Sequence, residues 1–408
     1  MIRSTLALAA LLLPPALAQA APTSILFVGN SFTFGRVDPV MSYNAANVRD
    51  LTAPMFATNP IGSNAYEPRP WGGVAGIFEK LTVQAGLDYE VAMSTRNAAS
   101  LRGHFLNTNP AGWDLRGNIG SQTWDQVVLQ EQSDEPLTRR GSVGNPAWFT
   151  NYVDKIEDFI HQGAAQSYFE RDFFPGATEA ARASACRAAT GASLATCNTQ
   201  RDIPANSNAS ADTEVFLYQT WARPNFVDGA FRTVTDETTG VVTRTTTPAT
   251  TYFPTLEAMT NELRWSFDNA ARNAAADGTG GITAVAPVGE AFMRAVLEGT
   301  ATRDMWAADA ATDGLIDLWF DDGLHASKYG SYLSALTLFG RITGVNPFSL
   351  GAGEIAAREL GISARDAVAL QRIAALELGF SVPLPGSAGL ALAALLLMGA
   401  VTGGRRRA

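Results

Sequence analysis

The sequence predicts an α/β protein built on a mostly parallel β-sheet. Short apolar runs recur along the chain, and segments with helical periodicity separate them. Strands that alternate with helices favour right-handed crossovers and parallel pairing. The strand runs are apolar at nearly every position, which is typical of strands buried on both faces. Five strands are predicted, at 25–28, 89–94, 124–130, 214–220 and 282–285.

Helices are predicted where apolar residues repeat every three or four positions. These segments flank the strands and supply the layers that cover the sheet. They lie at 76–85, 147–161, 256–276, 290–297 and 326–339. Residues 351–380 are predicted to be a C-terminal extension, with one or two small helices between residues 355 and 378.

Two segments interrupt this alternation. Residues 162–213 are poor in large aliphatic side chains and rich in Ala, Ser, Asn and Thr, so they are predicted to form a surface insertion. Residues 231–251 are rich in threonine and contain a Thr-Gly pair, which predicts an exposed hairpin. The two cysteines, Cys186 and Cys197, lie in the first segment. In an oxidising compartment they are expected to form a disulfide, with two free buried thiols as the alternative.

The composition argues against some classes of function. The net charge is −9, so the surface should repel phosphate backbones, and nucleic acid is not an expected partner. The two cysteines and three histidines show no metal-ligand spacing. The sequence therefore predicts neither a metal site nor another cofactor.

Residues 1–20 are predicted to be a signal peptide. Arg3 supplies a positive charge, residues 6–13 form a short apolar run, and residues 18–20 (Ala-Gln-Ala) fit a cleavage site with small residues. The apolar run is too short to span a bilayer. A short buried helix is the alternative, but the pattern favours export.

The candidate nucleophile is Ser31. It follows Gly29 and Asn30, directly after the first predicted strand. Parallel α/β folds bind their ligands at the carboxyl ends of the strands. A serine at this position can also present its own backbone N–H to a developing oxyanion. A simple turn is the alternative interpretation of the motif.

The candidate base is His325, with Asp322 three positions before it. A serine hydroxyl is a poor nucleophile without a base, and histidine titrates near neutrality. A carboxylate at this spacing, on a turn that contains Gly323, can bond the far ring nitrogen and fix the tautomer. Asp321 is a competitor with less suitable spacing. A helix-capping aspartate beside a surface histidine is the alternative.

Four other side chains carry weaker signals. His161 lies in a polar stretch at the end of a predicted helix and is interpreted as a solvated surface group. His104 follows Ser100 at helical spacing, where it supports the site, binds substrate or is purely structural. Trp221 and Arg223 follow the fourth predicted strand. They are predicted to line the pocket as an apolar wall and an anion clamp, with a packed loop as the alternative.

The Ser31 motif and the Asp322-to-His325 motif together resemble those of the SGNH hydrolases, also called the GDSL esterase/lipase family. The resemblance spans about residues 24–346, and it predicts a catalytic domain at residues 21–350. It implies a flavodoxin-like, three-layer α/β/α sandwich. It also implies ester hydrolysis through an acyl-enzyme.

The chain departs from this family at the expected oxyanion hole. The family has a glycine after its second strand and an asparagine after its third. Here the first turn lacks that glycine, and the second offers Gln130 and Gln132 as side-chain donors. The Ser31 N–H and an N–H near Ala98 or Ala99 are expected to complete the hole. A structural role for Gln130 at the strand end is the alternative.

Residues 381–408 are predicted to be a sorting signal. The sequence Val-Pro-Leu-Pro at 382–385 precedes an uncharged, mostly apolar run at 386–404, and three arginines follow. This tail resembles the PEP-CTERM signal of Gram-negative bacteria in its VPLP variant. The resemblance implies transient membrane anchoring and processing by an exosortase, with release or surface attachment. A plain C-terminal membrane anchor is the alternative.

Together these signals predict an exported serine ester hydrolase in the periplasm, outer surface or extracellular matrix of a Gram-negative bacterium. Extracellular members of the resembled family often remove acetyl groups from polysaccharides. The expected activity is therefore that of a carbohydrate acetylesterase or short-chain esterase acting on an acylated polysaccharide. Two alternatives stay open: a non-catalytic glycan-binding surface protein, and an acyltransferase that uses the same three residues.

Overall fold

The computed structural model describes most of the chain between residues 21 and 383. The predicted signal peptide and the tail from residue 384 onward lie outside the described residues, as do several short internal segments. The described residues are 21–36, 38–60, 68–106, 112–227, 251–307, 309–310 and 312–383, with the backbone alone of 232–235 and 242–245. Within these ranges no helix combines the length and the apolar composition needed to cross a bilayer.

The core of the fold is a parallel sheet of six strands. Ten strands occur among the described residues: β1 (Thr23–Gly29), β2 (Arg49–Asp50), β3 (Tyr89–Thr95), β4 (Gln126–Gln130), β5 (Gln166–Phe169), β6 (Gln200–Ile203), β7 (Glu214–Tyr218), β8 (Arg232–Thr235), β9 (Val242–Thr245) and β10 (Ala284–Ala286). The large sheet has the order β10-β7-β4-β1-β3-β2, and every neighbouring pair is parallel. β5 pairs with β6 and β8 with β9, both antiparallel.

The predicted parallel sheet is confirmed, but the prediction of five strands is wrong by one. The sixth strand, β2, is an edge strand of two residues that pairs with β3. Both residues, Arg49 and Asp50, are charged, and a strand this short shows no apolar alternation. Pairing with β3 therefore defines β2, and local sequence preference does not.

Helices cover both faces of the sheet. They are α1 (Ser31–Phe34), α2 (Ala53–Thr58), α3 (Gly73–Gln84), α4 (Leu101–Leu106), α5 (Leu115–Ile119), α6 (Pro146–His161), α7 (Glu179–Thr190), α8 (Leu194–Cys197), α9 (Pro224–Val227), α10 (Leu256–Ala274), α11 (Val288–Leu297), α12 (Lys328–Thr343), α13 (Ile355–Glu359) and α14 (Ala364–Glu377). Short 3₁₀ turns occur at Ala45–Asn47, Glu170–Phe173 and Pro347–Leu350.

The helices form two layers because the chain reverses direction across the sheet. α3 lies on the connection from β1 to β3, after the edge strand β2, and packs against α12 on one face. The connections from β3 to β4, β7 and β10 run the other way, so right-handed crossovers place α6 and α10 together on the opposite face. The result is the expected three-layer α/β/α sandwich. α14 packs on the outside of α12.

The segment at 162–213 carries its own small structure. It contains β5, α7, α8 and β6, and Cys186 and Cys197 form a disulfide between α7 and α8. The fully buried carboxylate of Glu170 receives hydrogen bonds from Arg102, Arg201 and Tyr152. Arg102 lies on α4, so this cluster ties the segment to the turns at the carboxyl edge of the sheet.

Candidate active site

Ser31 lies where the strand order reverses. After β1 the chain forms β2 and β3 on one side of it, and β4 pairs with β1 on the other side, which places Ser31 at the switch point of the sheet. The serine begins α1 and is 6% exposed. Its Oγ lies 2.9 Å from His325 Nε2, although the two residues are 294 positions apart. The structure therefore brings the two candidate residues into hydrogen-bond contact.

The turn before α12 holds His325. The side chain of Ser327 caps α12 by accepting hydrogen bonds from two backbone N–H groups, and the His325 carbonyl accepts one from the Phe320 N–H. Gly323 has a φ of +62°, a conformation that other residues rarely adopt, and the Trp306 ring fills the space where its Cβ would lie. The turn is therefore specified by both backbone and packing.

Asp322 uses its two oxygens for different purposes. Oδ1 accepts the backbone N–H groups of Leu324 at 2.8 Å and of His325 at 2.9 Å. Oδ2 lies 2.6 Å from His325 Nδ1. Because the backbone holds one oxygen, the other is directed at the imidazole ring.

The electrostatics favour a neutral ring beside an ionised carboxyl group. Burial lowers the pKa of His325 below 6.5, the hydrogen bond and charge of Asp322 oppose this shift, and the charges of Arg36 and Arg223 reinforce it. Burial by itself would raise the pKa of Asp322, but its hydrogen bonds and the charge of His325 outweigh burial and bring that pKa below 3.8. At neutral pH, Nδ1 carries the ring proton and Nε2 can accept the proton of Ser31.

Stacked aromatic rings support the serine–histidine pair. Phe32 stacks on Trp221 with centroids 4.1 Å apart, and Trp221 stacks on Phe292 at 4.8 Å. The Trp221 Nε1–H donates to the Leu324 carbonyl at 3.0 Å. Trp221 is fully buried, so the prediction that it forms a pocket wall is wrong. It instead orders the turn that carries His325.

The Gln130 amide is directed into the protein. Its Oε1 accepts hydrogen bonds from the Asn30 N–H and the Thr33 hydroxyl, both at 2.9 Å, and its Nε2 donates to the Glu131 carbonyl. The side chain is fully buried. The expectation that Gln130 is an oxyanion donor is therefore wrong, and the alternative of a structural residue at the strand end describes it.

Gln132 is partly exposed in the turn after β4. Its Oε1 accepts the N–H of Asp134 at 3.0 Å. Its amide nitrogen has no hydrogen-bond partner in the part of the chain that the structure describes. Donation from Gln132 to an oxyanion stays a prediction.

Glu131 is a site residue that sequence reasoning missed. Its Oε1 accepts the N–H groups of Leu101 at 2.9 Å and of Gln132 at 2.7 Å. Burial, followed by the charge of Glu135, raises the pKa of Glu131 well above 4.5. The carboxyl group joins the turn after β4 to the turn after β3. A glutamate at a strand end is usually solvated, so the sequence carried no signal for this role.

At this edge, the backbone N–H groups of Ser31 and Ala98 have no acceptor within the described residues. Ala98 has a φ of +54°, in the left-handed region that favours glycine. The Asn30 amide donates to the Ala99 carbonyl at 3.0 Å, which holds this turn beside the serine. The Ala99 N–H already donates to the Arg96 carbonyl at 3.1 Å. Of these two residues, Ala98 is therefore the one whose N–H can donate to an oxyanion.

His104 is fully buried, so the alternative that it binds substrate is wrong. Its Nε2 lies 2.9 Å from the Gly29 carbonyl oxygen. Burial, opposed by the hydrogen bond to Gly29 and reinforced by the charge of Arg96, lowers the pKa of His104 to about 4. The ring is therefore neutral at physiological pH.

Arg223 lies between the turns after β4 and β7. Its Nη1 donates to Ser133 Oγ at 3.0 Å and lies 3.8 Å from an Asp134 oxygen, and its Nε donates to Asn225 Oδ1 at 3.2 Å. The guanidinium carbon lies 3.8 Å from the centroid of the Phe226 ring. The residue is packed as a bridge between two loops, and its role as an anion clamp stays a prediction.

The interpretation of His161 as a solvated surface group is wrong. His161 is 7% exposed, its Nδ1 faces Glu157, and its Nε2 lies 2.8 Å from the Thr213 carbonyl oxygen. The glycine-rich turn before β10 covers the ring, and Gly281 donates its N–H to Glu157 at 2.7 Å. Contacts distant in sequence produce this burial, so the polar local sequence was misleading.

One group of three carboxylates among the described residues has ligand-like spacing. Its members are Asp154, Asp158 and Asp277. Lys155 Nζ lies 3.0 Å from an Asp154 oxygen and 2.9 Å from an Asp158 oxygen, so an ammonium group already balances this charge. The cluster is centred on α6 and does not include any of the three candidate catalytic residues.

No family model and no curated protein matches the chain. Solved structures similar to it include the following three, each of which is covered over 99% of its own length. A candidate SGNH hydrolase from Slackia heliotrinireducens aligns over 79% of this chain, with 15% identity and a TM-score of 0.35. A DUF4886 family protein from Bacteroides uniformis covers 90%, with 13% identity and a TM-score of 0.40. A candidate GDSL-like lipase from Parabacteroides merdae covers 81%, with 15% identity and a TM-score of 0.34. TM-scores this low do not support an argument about the function of this chain.

Proposed function

We propose that the chain is a serine ester hydrolase that acts through an acyl-enzyme. The proposal rests on the continuous hydrogen-bonded line from Ser31 Oγ to His325 Nε2 at 2.9 Å and from His325 Nδ1 to Asp322 Oδ2 at 2.6 Å. A serine needs such a base to become a nucleophile, and the base needs an orienting carboxylate. The neutral state of His325 at neutral pH supports the same role.

The reaction proceeds in two matched steps. Ser31 Oγ attacks the ester carbonyl carbon while His325 takes its proton, and the alcohol then leaves with the proton from His325. Water next attacks the acyl carbonyl and gives a proton to His325, and Ser31 leaves with the proton that His325 returns. Asp322 stays ionised throughout and stabilises the imidazolium.

The two N–H groups of Ser31 and Ala98 are the donors proposed for the oxyanion. Donors without a competing internal acceptor are prepared to bind charge that develops in the transition state. Two hydrogen bonds support this assignment, because they hold the turns that carry both donors. The Asn30 amide donates to the Ala99 carbonyl, and Glu131 accepts the N–H of Leu101. In this arrangement an alanine in the left-handed region occupies the place of the glycine in the resembled family.

We infer that the substrate is an acylated polysaccharide or another short-chain ester outside the cytoplasm. The signal-peptide pattern and the disulfide between Cys186 and Cys197 support an oxidising compartment. The tail at 381–408 supports transient membrane anchoring and exosortase processing. Acetate is the first acyl group to test, because the resemblance implies carbohydrate deacetylation.

The test is labelling with a fluorophosphonate probe, combined with acetate release from acetylated xylan and hydrolysis of nitrophenyl decanoate. Wild-type protein should be labelled at Ser31, and Ser31→Ala should not be. Faster acetate release than decanoate hydrolysis supports the acetylesterase assignment. A folded protein that is neither labelled nor active would instead fit the glycan-binding alternative. Labelling with acyl transfer to an added sugar, but not to water, would fit the acyltransferase.

A further inference from the structure

The turn that precedes Ser31 is bonded on both sides of one peptide unit. The Gly29 carbonyl oxygen receives the Arg96 N–H at 3.2 Å and faces His104 Nε2 at 2.9 Å. On the other side of the same peptide, the Asn30 N–H donates to Gln130 Oε1 at 2.9 Å. The orientation of this peptide sets the direction in which the next residue, Ser31, leaves the strand.

The contact with Gly29 defines the tautomer of His104. A carbonyl oxygen can only accept, so Nε2 must carry the proton. Nδ1 is buried and has no hydrogen-bond partner among the residues that the structure describes, so a second proton there would be uncompensated. The positive charge of Arg96 acts on the ring and also disfavours an imidazolium. His104 is therefore a neutral donor with a fixed direction.

The helix that carries His104 is itself held firmly. α4 begins at Leu101, whose N–H donates to buried Glu131. Arg102 binds the buried carboxylate of Glu170, and Arg116 donates to the Phe105 carbonyl at 2.7 Å. A donor on an element fixed by three other segments can hold its acceptor in place, because moving the donor would disrupt those contacts.

We propose that His104 is a positioning residue for the reaction, which holds the Gly29 carbonyl so that the hydroxyl and N–H of Ser31 stay aligned with His325 and the oxyanion. This inference rests on the proposed ester hydrolysis. His104 does not touch the substrate, and it acts through the peptide between Gly29 and Asn30. A misplacement of about 1 Å at a reacting group can reduce the rate on the order of 10²-fold.

Two substitutions of similar polarity separate positioning from packing. His104→Gln keeps an N–H donor near the position of Nε2, whereas His104→Asn places its amide nearer to Nδ1, out of reach of the Gly29 carbonyl. The expected loss of kcat in His104→Asn is on the order of 10²-fold with KM little changed. His104→Gln should recover most of that loss. His161→Gln and His161→Asn form a matched control pair at the opposite edge of the sheet, and neither should change kcat.

The proposal is overturned if the Asn and Gln variants lose kcat equally, if neither loses it, or if the His161 pair shows the same pattern. Thermal melts of all four variants separate kcat effects from unfolding. If His104→Asn does not fold, His104→Gln decides, because a large kcat loss in that variant contradicts rescue by the retained donor.

Nitrogen NMR of the ring provides a readout that does not need activity. Wild-type His104 should carry its proton on Nε2 and stay neutral at every pH above about 4. The His325 titration should shift in His104→Asn and return in His104→Gln. A proton on Nδ1 of His104, or an unchanged His325 titration in His104→Asn, overturns the positioning role. Absence of esterase activity together with these NMR results would instead reject only the proposed function.

Discussion

His325 and His161 each place one ring nitrogen against a carboxylate, but their second nitrogens face different groups. At the carboxyl edge of the sheet, Nε2 of His325 faces the Ser31 hydroxyl, which can donate a proton to it. At the amino edge, Nε2 of His161 faces the Thr213 carbonyl, which can only accept. Two acceptors favour a doubly protonated ring at His161, whereas an acceptor and a hydroxyl favour a neutral one at His325.

The direction of each pKa agrees with this difference. Burial lowers the pKa of both rings, but at His161 the hydrogen bonds of Glu157 and Thr213 outweigh burial and raise it above 6.5. At His325 burial prevails and the pKa is lowered. A buried histidine–carboxylate pair is therefore not a catalytic signature by itself. The group at the second nitrogen decides whether the pair is a base or a structural ion pair.

The largest expected effect is a loss of kcat that occurs in variants of Ser31 and His325 but not in a variant of His161. Ser31→Ala and His325→Ala should each lower kcat by several orders of magnitude, up to about 10⁶-fold, because each removes one member of a unit that acts together. His161→Gln should leave kcat unchanged. Steady-state kinetics on a nitrophenyl acetate substrate measures both, and a comparable loss of kcat in His161→Gln would contradict the comparison.

The next largest effect is a loss of kcat on removing the negative charge of Asp322, compared with the same change at Glu157. In Asp322→Asn, the side-chain oxygen should stay with the two backbone donors at Oδ1, so the amide nitrogen faces His325 Nδ1. This forces the ring proton onto Nε2, which can then no longer accept from Ser31, and kcat should fall about 10⁴-fold. Glu157→Gln should retain kcat. Equal activity of Asp322→Asn and wild type would show that the tautomer is not set by this carboxyl group.

The pH dependence of activity follows from the lowered pKa of His325. Below that pKa, kcat/KM should fall about tenfold per pH unit because protonated His325 cannot act as a base. The midpoint should lie below the ordinary histidine value of 6.5, with a plateau at neutral pH. The profile of His161→Gln should superimpose on that of the wild type. A midpoint above 6.5 would contradict the dominance of burial at His325.

The free energy of unfolding should fall with rising pH because of His161, whereas activity should rise with pH because of His325. The folded-state pKa of His161 is raised, so its contribution is fully present below pH 6.5 and is lost as pH rises through the folded-state value. Glu157 accepts from His161, Thr279 and Gly281, and the nearby charges of Asp158 and Lys155 lie on the same helix.

Urea unfolding at a series of pH values measures this contribution. The loss of stability with rising pH should be smaller in His161→Gln than in wild type. His325→Gln, the matched change at the other edge, should keep the wild-type loss. A wild-type unfolding free energy that does not fall across this range would contradict the charged state of His161.

The smallest effect concerns the backbone at the two edges. Ala98 has a φ of +54° and Gly281 a φ of +86°. Ala98→Gly should raise the unfolding free energy by roughly 1 kcal/mol by removing left-handed strain, and it should keep activity. Gly281→Ala should lower stability by a similar or larger amount. Chemical denaturation measures both, and a less stable Ala98→Gly would contradict the left-handed turn.

The sequence predicted the parts of the fold and site that depend on strong local patterns. Strand β1 is a dense apolar run that ends at Gly29, and α12 has clear helical periodicity, so Ser31 and His325 could be placed at strand and helix termini. Parallel pairing then puts such termini at one edge of the sheet. The contact between Ser31 and His325 in the structure agrees with this topology.

The parts that could not be predicted depend on packing between turns that are distant in sequence. Gln130 has donor chemistry, but the inward direction of its amide is set by Asn30, 100 positions away. Glu131 is buried and accepts the N–H of Leu101, which lies 30 positions away. His161 has a polar neighbourhood in sequence and an enclosed one in space. No local pattern encodes these contacts.

The separation of 294 positions between Ser31 and His325 also affects how the protein is made. A growing chain has its first strand and its serine early, but the imidazole partner is added only shortly before α12. Contacts of such long range form late and slowly, because a large loop must close before they stabilise anything. A nascent or truncated chain that ends before His325 therefore has a serine without its base, and the pair can form only when most of the core has been synthesised.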